Sequence, residues 1–187
     1  MIKKSIREIA RMVGATNDVS RFADTVIFGV SIDTRTLEKG NLFIPLRGER
    51  HDGHQFVKAA FEKGAAATLW QEDVPAIPED QPVLVVKDTL QALQELARLY
   101  RQELDLKVCA VTGSNGKTTT KDILAELLSL KFKVQKTQGN YNNHIGLPLT
   151  ILGLEEDTEV AVLEMGMNHF GEIDFLSRLA RPDAAII

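Results

Sequence analysis

The chain of 187 residues is long enough for one domain, or for a small domain followed by part of another. Its net charge of −4 argues against a nucleic-acid binder and against a basic membrane anchor, and its single cysteine, Cys109, excludes an intramolecular disulfide. Because no run approaches the roughly 20 apolar residues that span a bilayer, we expect no membrane insertion. The single cysteine and an N-terminus without the apolar region of a signal peptide favour the cytoplasm, and we expect a monomer.

Helix and strand signals alternate in the first half of the chain. Ser5 and Glu8 form a capping box for a first helix, which Gly14 ends. Short apolar runs predict strands at residues 26–32, 41–45, 65–70 and 83–86, with a helix at about 54–63. Asp88 caps a long helix whose apolar residues recur every three or four positions as far as Leu104.

The second half alternates more regularly. The patterns predict strands at residues 108–112, 133–137, 160–165 and 184–187, and helices at 118–130 and 172–179. This order is typical of an α/β fold with a parallel sheet covered on both faces. We place a boundary near Asp105, between a small α/β domain at 1–104 and the first part of a parallel-sheet domain at 105–187. Because the last strand has the composition of a buried one, we expect a fragment of a longer protein.

Residues 113–119 lie between a predicted strand and a predicted helix, which is the position of a phosphate-binding P-loop. The glycines let backbone N–H groups face phosphate oxygens, and the helix N-terminus adds positive charge. Lys117 can reach the terminal phosphates of ATP, although Val111 stands where the full Walker pattern has its first glycine. The residues assigned to ATP are Gly113, Ser114, Asn115, Gly116, Lys117, Thr118 and Thr119. A helix cap that binds no ligand is the alternative interpretation.

Glu164 follows the apolar run at 160–163, at the sheet edge where ligands of parallel sheets collect. Together with the hydroxyl of Thr118, its carboxylate predicts a Mg²⁺ site. We therefore interpret Glu164 and Lys117 as catalytic residues. The alternative is a solvated glutamate at the end of a strand.

Several motifs resemble those of the Mur ligases, which are ATP-dependent amide-bond ligases. They are the loop at 112–119, the run QGNYNNHIGLP at 138–148 and the run EMGMNHFGEI at 164–173. The last two are most similar to the branch of the family that adds D-alanyl-D-alanine. The segments SIDTR at 31–35, GNLFIPLRG at 40–48 and HDGH at 51–54 resemble the family's UDP-binding domain, so the resemblance covers nearly the whole chain.

The resemblance implies a reaction through an acyl phosphate, in peptidoglycan precursor synthesis. ATP would phosphorylate a carboxylate of UDP-N-acetylmuramoyl-tripeptide, and the amine of D-alanyl-D-alanine would then displace phosphate. The resemblance also implies that Thr118 and Glu164 carry Mg²⁺ and that Asn140 and Asn143 lie near the nucleotide. His169 would either contact substrate or metal, or hydrogen-bond to a residue that does. We expect the 187 residues to be inactive by themselves.

The first domain carries the candidates for binding the UDP-sugar. They are Ser31, Asp33, Thr34 and Arg35, with Arg47 and Gly48 as further candidates. An ordinary polar turn closed by Asp33 is the alternative for the first four. For the whole chain, the alternatives are a sister Mur or folylpolyglutamate-type ligase, and a non-catalytic nucleotide-binding module.

Overall fold

The computed structural model of the chain describes residues 1–48 and 51–187. The described residues divide into two units, Met1–Leu96 and Ala97–Ile187. The division falls inside the long helix at Thr89–Glu103, before the predicted boundary near Asp105. The assignment of domains to the two sides of that boundary stays a prediction.

The chain begins with a short strand and a capped helix. Strand β1 (Lys3–Ser5) leads into helix α1 (Ile6–Val13), where the Ser5 hydroxyl accepts the Glu8 N–H and the Glu8 carboxylate accepts the Ser5 N–H at 2.8 Å. Gly14 ends α1 with a φ of 65°, a left-handed conformation that a Cβ disfavours. Both the predicted capping box and the predicted helix stop are confirmed.

The first unit holds two sheets. Strand β2 (Val26–Phe28) pairs antiparallel with β1. The parallel sheet has the order β3-β4-β5-β6, with strands Val30–Ser31, Leu42–Phe43, Ala67–Gln71 and Val83–Val86. The single strand predicted at 26–32 is therefore wrong. Gly29, with a φ of 71°, turns the chain out of one sheet and into the other.

Helices of the first unit cover the parallel sheet. The segment predicted as one helix is a 3₁₀ turn at Gly53–Phe56 followed by α2 (Val57–Glu62). Val57 and Ala60 pack on the sheet residues Phe43 and Trp70. Phe56, at the end of the 3₁₀ turn, is 45% exposed. The long helix α3 (Thr89–Glu103) begins after Asp88, whose carboxylate accepts the Gln91 N–H at 2.8 Å.

The second unit contains a parallel sheet of order β10-β7-β9-β8. Its strands are β7 (Lys107–Val111), β8 (Val134–Lys136), β9 (Val160–Glu164) and β10 (Ala184–Ile186). Its other helices are α4 (Lys117–Ser129), α5 (Gly146–Leu152) and α6 (Glu172–Ala180). The predicted α/β class with a parallel sheet is confirmed. Strand β10 lies at the edge of the sheet and is exposed in the 187-residue chain, so the burial expected for it in a longer protein stays a prediction.

Helix α5 is missing from the predicted elements. The side-chain oxygen of Asn143 accepts the N–H groups of Ile145 at 3.0 Å and of Gly146 at 2.8 Å. A Cβ on Gly146 would lie 2.4 Å from Tyr141 Cα, so only glycine fits there. An asparagine before an apolar run that carries Pro148 near its start is the signal that predicts such a helix. Of the helices in residues 1–48 and 51–187, none has the length and apolar composition to cross a membrane.

Candidate nucleotide-binding site

The segment between β7 and α4 has the backbone geometry of a phosphate-binding loop. Gly113 and Gly116 have φ values of 124° and 78°, where a side chain would strain the backbone. Gly116 is the N-cap of α4 and has no side chain to satisfy the first N–H groups of that helix. These N–H groups, at the positive end of the helix dipole, are suited to hold an anion.

Lys117 is the first residue of α4. Its ammonium donates a hydrogen bond to the carbonyl of Gly113 at 2.7 Å, which folds the side chain back over the loop. The positive charge is therefore held beside the backbone that we expect to contact phosphate. Ser114 and Asn115, between the two glycines, are exposed.

Glu164 ends β9 next to the loop and is only 2% exposed. One carboxylate oxygen accepts the hydroxyl of Thr118 at 3.0 Å, and the other accepts the side-chain amide of Asn142 at 2.7 Å. The two residues predicted to bind Mg²⁺ are thus in contact. The alternative of a solvated glutamate is excluded by the burial of this side chain.

Lys121 lies next to Glu164, and the sequence pattern does not single it out. Its side chain is 3% exposed, and its Nζ donates to the carbonyl of Thr137 at 2.9 Å and lies 4.0 Å from Glu164 Oε2. The Thr137 hydroxyl accepts the backbone N–H of Glu164 at 2.9 Å. Lys121 and Ala125 are the buried residues of α4, and they lie about one turn apart on its inner face. A lysine four residues before an alanine in a predicted helix is therefore the sequence signal that could have identified Lys121 as buried.

The donor set fits Mg²⁺ bound together with phosphate. Among residues 1–48 and 51–187 there is no group of three or more His, Cys, Asp and Glu side chains that could hold a metal ion by itself. Thr118 and Glu164 offer only oxygen atoms, which Mg²⁺ prefers. Since the Thr118 hydroxyl donates its proton to the carboxylate, its lone pairs stay available for a cation. Mg²⁺ is commonly bound by one or two protein oxygens plus phosphate and water.

A cleft of about 470 Å³ lies beside the loop. Its lining includes four predicted residues, Lys117, Asn140, Asn143 and His169, together with Asn142, His144, Gly166, Met167, Asn168 and Glu172. The cleft therefore brings the lysine of the loop together with both later motifs, although these are separated from it by more than 20 residues of sequence. Of the added residues, Asn142 also contacts Glu164.

His169 is on the rim of this cleft, with 83% of its side chain exposed. Its Nδ1 is 3.5 Å from a carboxylate oxygen of Glu172. The other oxygen of Glu172 accepts the N–H groups of Asn168 at 2.6 Å and of His169 at 3.0 Å, and these hydrogen bonds lower the pKa of Glu172. The catalytic role of His169 stays a prediction, because its contact in the described part of the chain is Glu172 rather than Glu164.

The candidates for UDP-sugar binding at the end of β3 form a closed turn. The Ser31 hydroxyl donates to the carbonyl of Asp33 at 2.9 Å. The Asp33 carboxylate accepts the Arg35 N–H at 2.8 Å and the Arg35 guanidinium at 2.5 to 3.0 Å. The carbonyl of Thr34 accepts from Lys63 at 2.6 Å. The polar turn proposed as the alternative is therefore present, while 87% of the Arg35 side chain remains exposed.

The two further candidates have protein partners as well. Arg47 donates to Asp52 at 3.1 Å and to Asp73 at 2.9 Å, so two carboxylates already balance its charge. The Gly48 N–H donates to the carbonyl of His51 at 2.9 Å. Substrate binding by these residues stays a prediction.

The turn at Asp33 predicts that the stability of the fold depends on pH. Hydrogen bonds from the side chain and backbone of Arg35 lower the pKa of Asp33 from 3.8 to about 2. A lowered pKa means that the ionised group stabilises the fold above pH 3.8 and that this contribution is lost as the pH falls through 2. We expect the Asp33 carboxyl carbon to titrate near pH 2 by NMR, and at a higher pH in Arg35→Ala, which loses the guanidinium but keeps the backbone N–H of residue 35.

Arg21→Ala is a matched control, because Arg21 pairs with Asp80 instead. It should leave the Asp33 titration unchanged. A midpoint near 3.8 in the wild-type chain would show that Asp33 does not hold Arg35.

Matches to models of protein families identify the family of this chain. The family described as "Mur ligase family, catalytic domain" matches residues 26–101, and "Mur ligase middle domain" matches residues 111–187. The chain belongs to the Mur ligase family. The resemblance inferred from the sequence motifs is thereby confirmed.

Two curated relatives of this Mur ligase family chain have the same name. The chain is 59% identical over 187 residues to UDP-N-acetylmuramoyl-tripeptide–D-alanyl-D-alanine ligase of Bacillus subtilis, and the match covers 100% of this chain and 41% of that protein. It is 41% identical over 179 residues to the ligase of the same name from Escherichia coli, covering 96% of this chain and 39% of that protein. The chain thus spans about two fifths of the length of these relatives.

Solved structures of Mur ligases share the fold. The first crystal structure of MurF from Acinetobacter baumannii matches with a TM-score of 0.89 at 34% identity, covering 99% of this chain and 40% of that one. MurF ligase from Thermotoga maritima in complex with ADP matches with a TM-score of 0.73 at 36% identity, covering 83% of this chain and 36% of that one.

Proposed function

We propose that this chain binds ATP and Mg²⁺ as part of a ligase that joins D-alanyl-D-alanine to UDP-N-acetylmuramoyl-tripeptide. The contact between Thr118 and Glu164, at the mouth of a glycine loop that carries Lys117, is the observation that supports it most directly. The names of the relatives agree with it, and the relative from Thermotoga maritima was solved with ADP.

The residues of the loop would position ATP and balance its charge. The N–H groups at the start of α4 and the Lys117 ammonium would hold the phosphates, and Thr118 and Glu164 would hold Mg²⁺. When bound, Mg²⁺ supplies a cation that neutralises charge on the phosphoryl oxygens. Phosphoryl transfer depends chiefly on such positioning and charge balance.

The reaction would proceed in two substitutions. An oxygen of the tripeptide carboxylate attacks the γ-phosphorus of ATP, the bond to the β–γ bridging oxygen breaks, and ADP leaves. The amine of D-alanyl-D-alanine then attacks the carbonyl carbon of the acyl phosphate, inorganic phosphate leaves, and the amine loses a proton. An amide bond forms, and each ATP yields one ADP.

The remaining cleft residues would contact the reactants. The side-chain oxygen of Asn143 caps α5, so its N–H₂ group is the part that a ligand can engage. Asn140 and His169 line the same cleft and offer an amide and an exposed imidazole. In the first unit, Arg35 offers an exposed guanidinium suited to the diphosphate of the UDP-sugar.

The test is ADP formation by the enzyme that carries this chain, with UDP-N-acetylmuramoyl-tripeptide as acceptor. We expect ADP to form with D-alanyl-D-alanine and not with single amino acids. A response to a free amino acid but not to the dipeptide would identify a sister ligase. If calorimetry detected no binding of ATP or ADP, the loop would have no part in nucleotide binding and the proposal would fail.

A further inference from the structure

Glu164 is held by groups from three segments of the chain. Asn142 binds one carboxylate oxygen and Thr118 binds the other. Lys121 Nζ lies 4.0 Å from the oxygen that Thr118 binds. Neither Asn142 nor Thr118 carries a charge. Among the described residues, the cation within 4.0 Å of this buried carboxylate is Lys121, whose ammonium also lies 3.5 Å from the half-exposed carboxylate of Asp122.

Lys121 also links the strand that carries Glu164 to the neighbouring strand. Its Nζ donates to the carbonyl of Thr137, the residue after β8, and the Thr137 hydroxyl accepts the N–H of Glu164. Lys121, Thr137 and Glu164 are 3%, 0% and 2% exposed. In such surroundings a polar group without its partner is costly, so these contacts restrict the side chain of Glu164 to few conformations.

Lys121 is badly placed to bind nucleotide itself. Lys117, four residues earlier on α4, lines the cleft, whereas the Nζ of Lys121 is hydrogen-bonded to the carbonyl of Thr137. To reach a phosphate, its ammonium would have to leave Thr137 and expose the carboxylate that it balances. Two lysines on one helix thus face different partners.

We propose that Lys121 is a positioning residue that orients Glu164 toward the metal site. The inference rests on the proposed function, because it assumes that Glu164 binds Mg²⁺. It assigns the metal-dependent part of nucleotide affinity to Lys121 and Glu164, and the metal-independent part to the loop and Lys117.

Calorimetry of the complete enzyme that contains this chain, carried out with ADP in the presence and absence of Mg²⁺, tests this assignment. In the wild-type chain, Mg²⁺ should increase ADP affinity. In Lys121→Gln, which removes the positive charge, we expect the gain from Mg²⁺ to fall by roughly 10- to 100-fold, while ADP affinity without Mg²⁺ is unchanged. Adding Lys121→Gln to Glu164→Gln should cause no further loss, since both changes act through one metal contact.

Lys133→Gln is the matched control. Lys133 lies just before β8 and pairs with Glu155 and Asp157, so its loss removes an equal charge without changing a contact of Lys121 or Glu164. It should keep the full gain from Mg²⁺. If Lys121→Gln also keeps it, Lys121 has only a structural role and the proposal is wrong.

Hydrogen exchange of the Glu164 amide tests the proposal without bound nucleotide. In Lys121→Gln, protection of the Glu164 amide should fall by roughly tenfold or more, but not in Lys133→Gln. Unchanged protection would overturn the proposal, even if the wild-type chain bound no ADP and the proposed function itself failed. If Lys121→Gln did not fold, NMR of the wild-type chain would decide. A Lys121 ammonium in rapid exchange with water would contradict the inference, and a slowly exchanging one hydrogen-bonded to Thr137 would support it.

Discussion

Replacing Lys117 with alanine is expected to weaken ATP and ADP binding by roughly 10- to 100-fold. The ammonium is the charged donor of the loop, and a hydrogen bond to a charged group contributes about 1.5 to 3 kcal/mol. In the complete enzyme, turnover should fall by about 10² to 10³, because charge on the phosphoryl oxygens increases in the transition state. Calorimetry with ADP and steady-state ADP release measure the two effects.

Lys131→Ala is the control for this change. Lys131 lies just beyond α4, is exposed, and has its ammonium over the ring of Phe132. Its replacement removes the same charge as Lys117→Ala without changing the loop. It should bind nucleotide like the wild-type chain. Equal nucleotide affinities for Lys117→Ala and the wild type would show that the loop does not bind phosphate. Affinity for the uridine substrate should be nearly the same in all three proteins.

The loop was predictable because its requirements are local. A strand must lead into it, a helix must follow, and glycines must occupy the positions with positive φ, as they do at Gly113 and Gly116. The alternation of strands and helices was sufficient to predict the parallel sheet. Because Glu164 directly follows an apolar strand, its position at the edge beside the loop followed from parallel topology alone.

Features that depend on distant partners were not predictable in the same way. An apolar run at 26–32 does not reveal that its two halves pair with different strands on either side of Gly29. Here the local pattern is correct and the tertiary partners decide the outcome.

The polar contacts of the site show the same limit. A lysine on the inner face of α4 is unusual, but the sequence does not say that Thr137 and Glu164 lie opposite Lys121. In the first unit, the composition at Asp33 and Arg35 suits both a ligand and a turn, and the structure shows the turn. Ligand binding by that turn can therefore be tested only by experiment.

Glu164→Gln is expected to separate metal binding from phosphate binding. The amide keeps the size of the side chain but removes the negative charge that a Mg²⁺ ligand needs. The gain in ADP affinity from Mg²⁺ should be lost, and turnover of the complete enzyme should fall by about 100-fold or more. Binding of ADP without Mg²⁺ should be retained, because the loop and Lys117 are unchanged.

The stability of Glu164→Gln must be measured together with its nucleotide affinity, because this variant leaves Lys121 buried without the Glu164 carboxylate. We expect a loss in unfolding free energy on the order of 2 kcal/mol, so binding should be compared well below the unfolding midpoint. Glu159→Gln, immediately before β9, is the control, since Glu159 contacts the Lys133 backbone and not the loop. If both variants lost the same amount of Mg²⁺-dependent affinity, the loss would reflect general charge rather than coordination. A loss confined to Glu164→Gln, with metal-free ADP affinity intact, would mean that the loop and the end of β9 act as two separable binding elements.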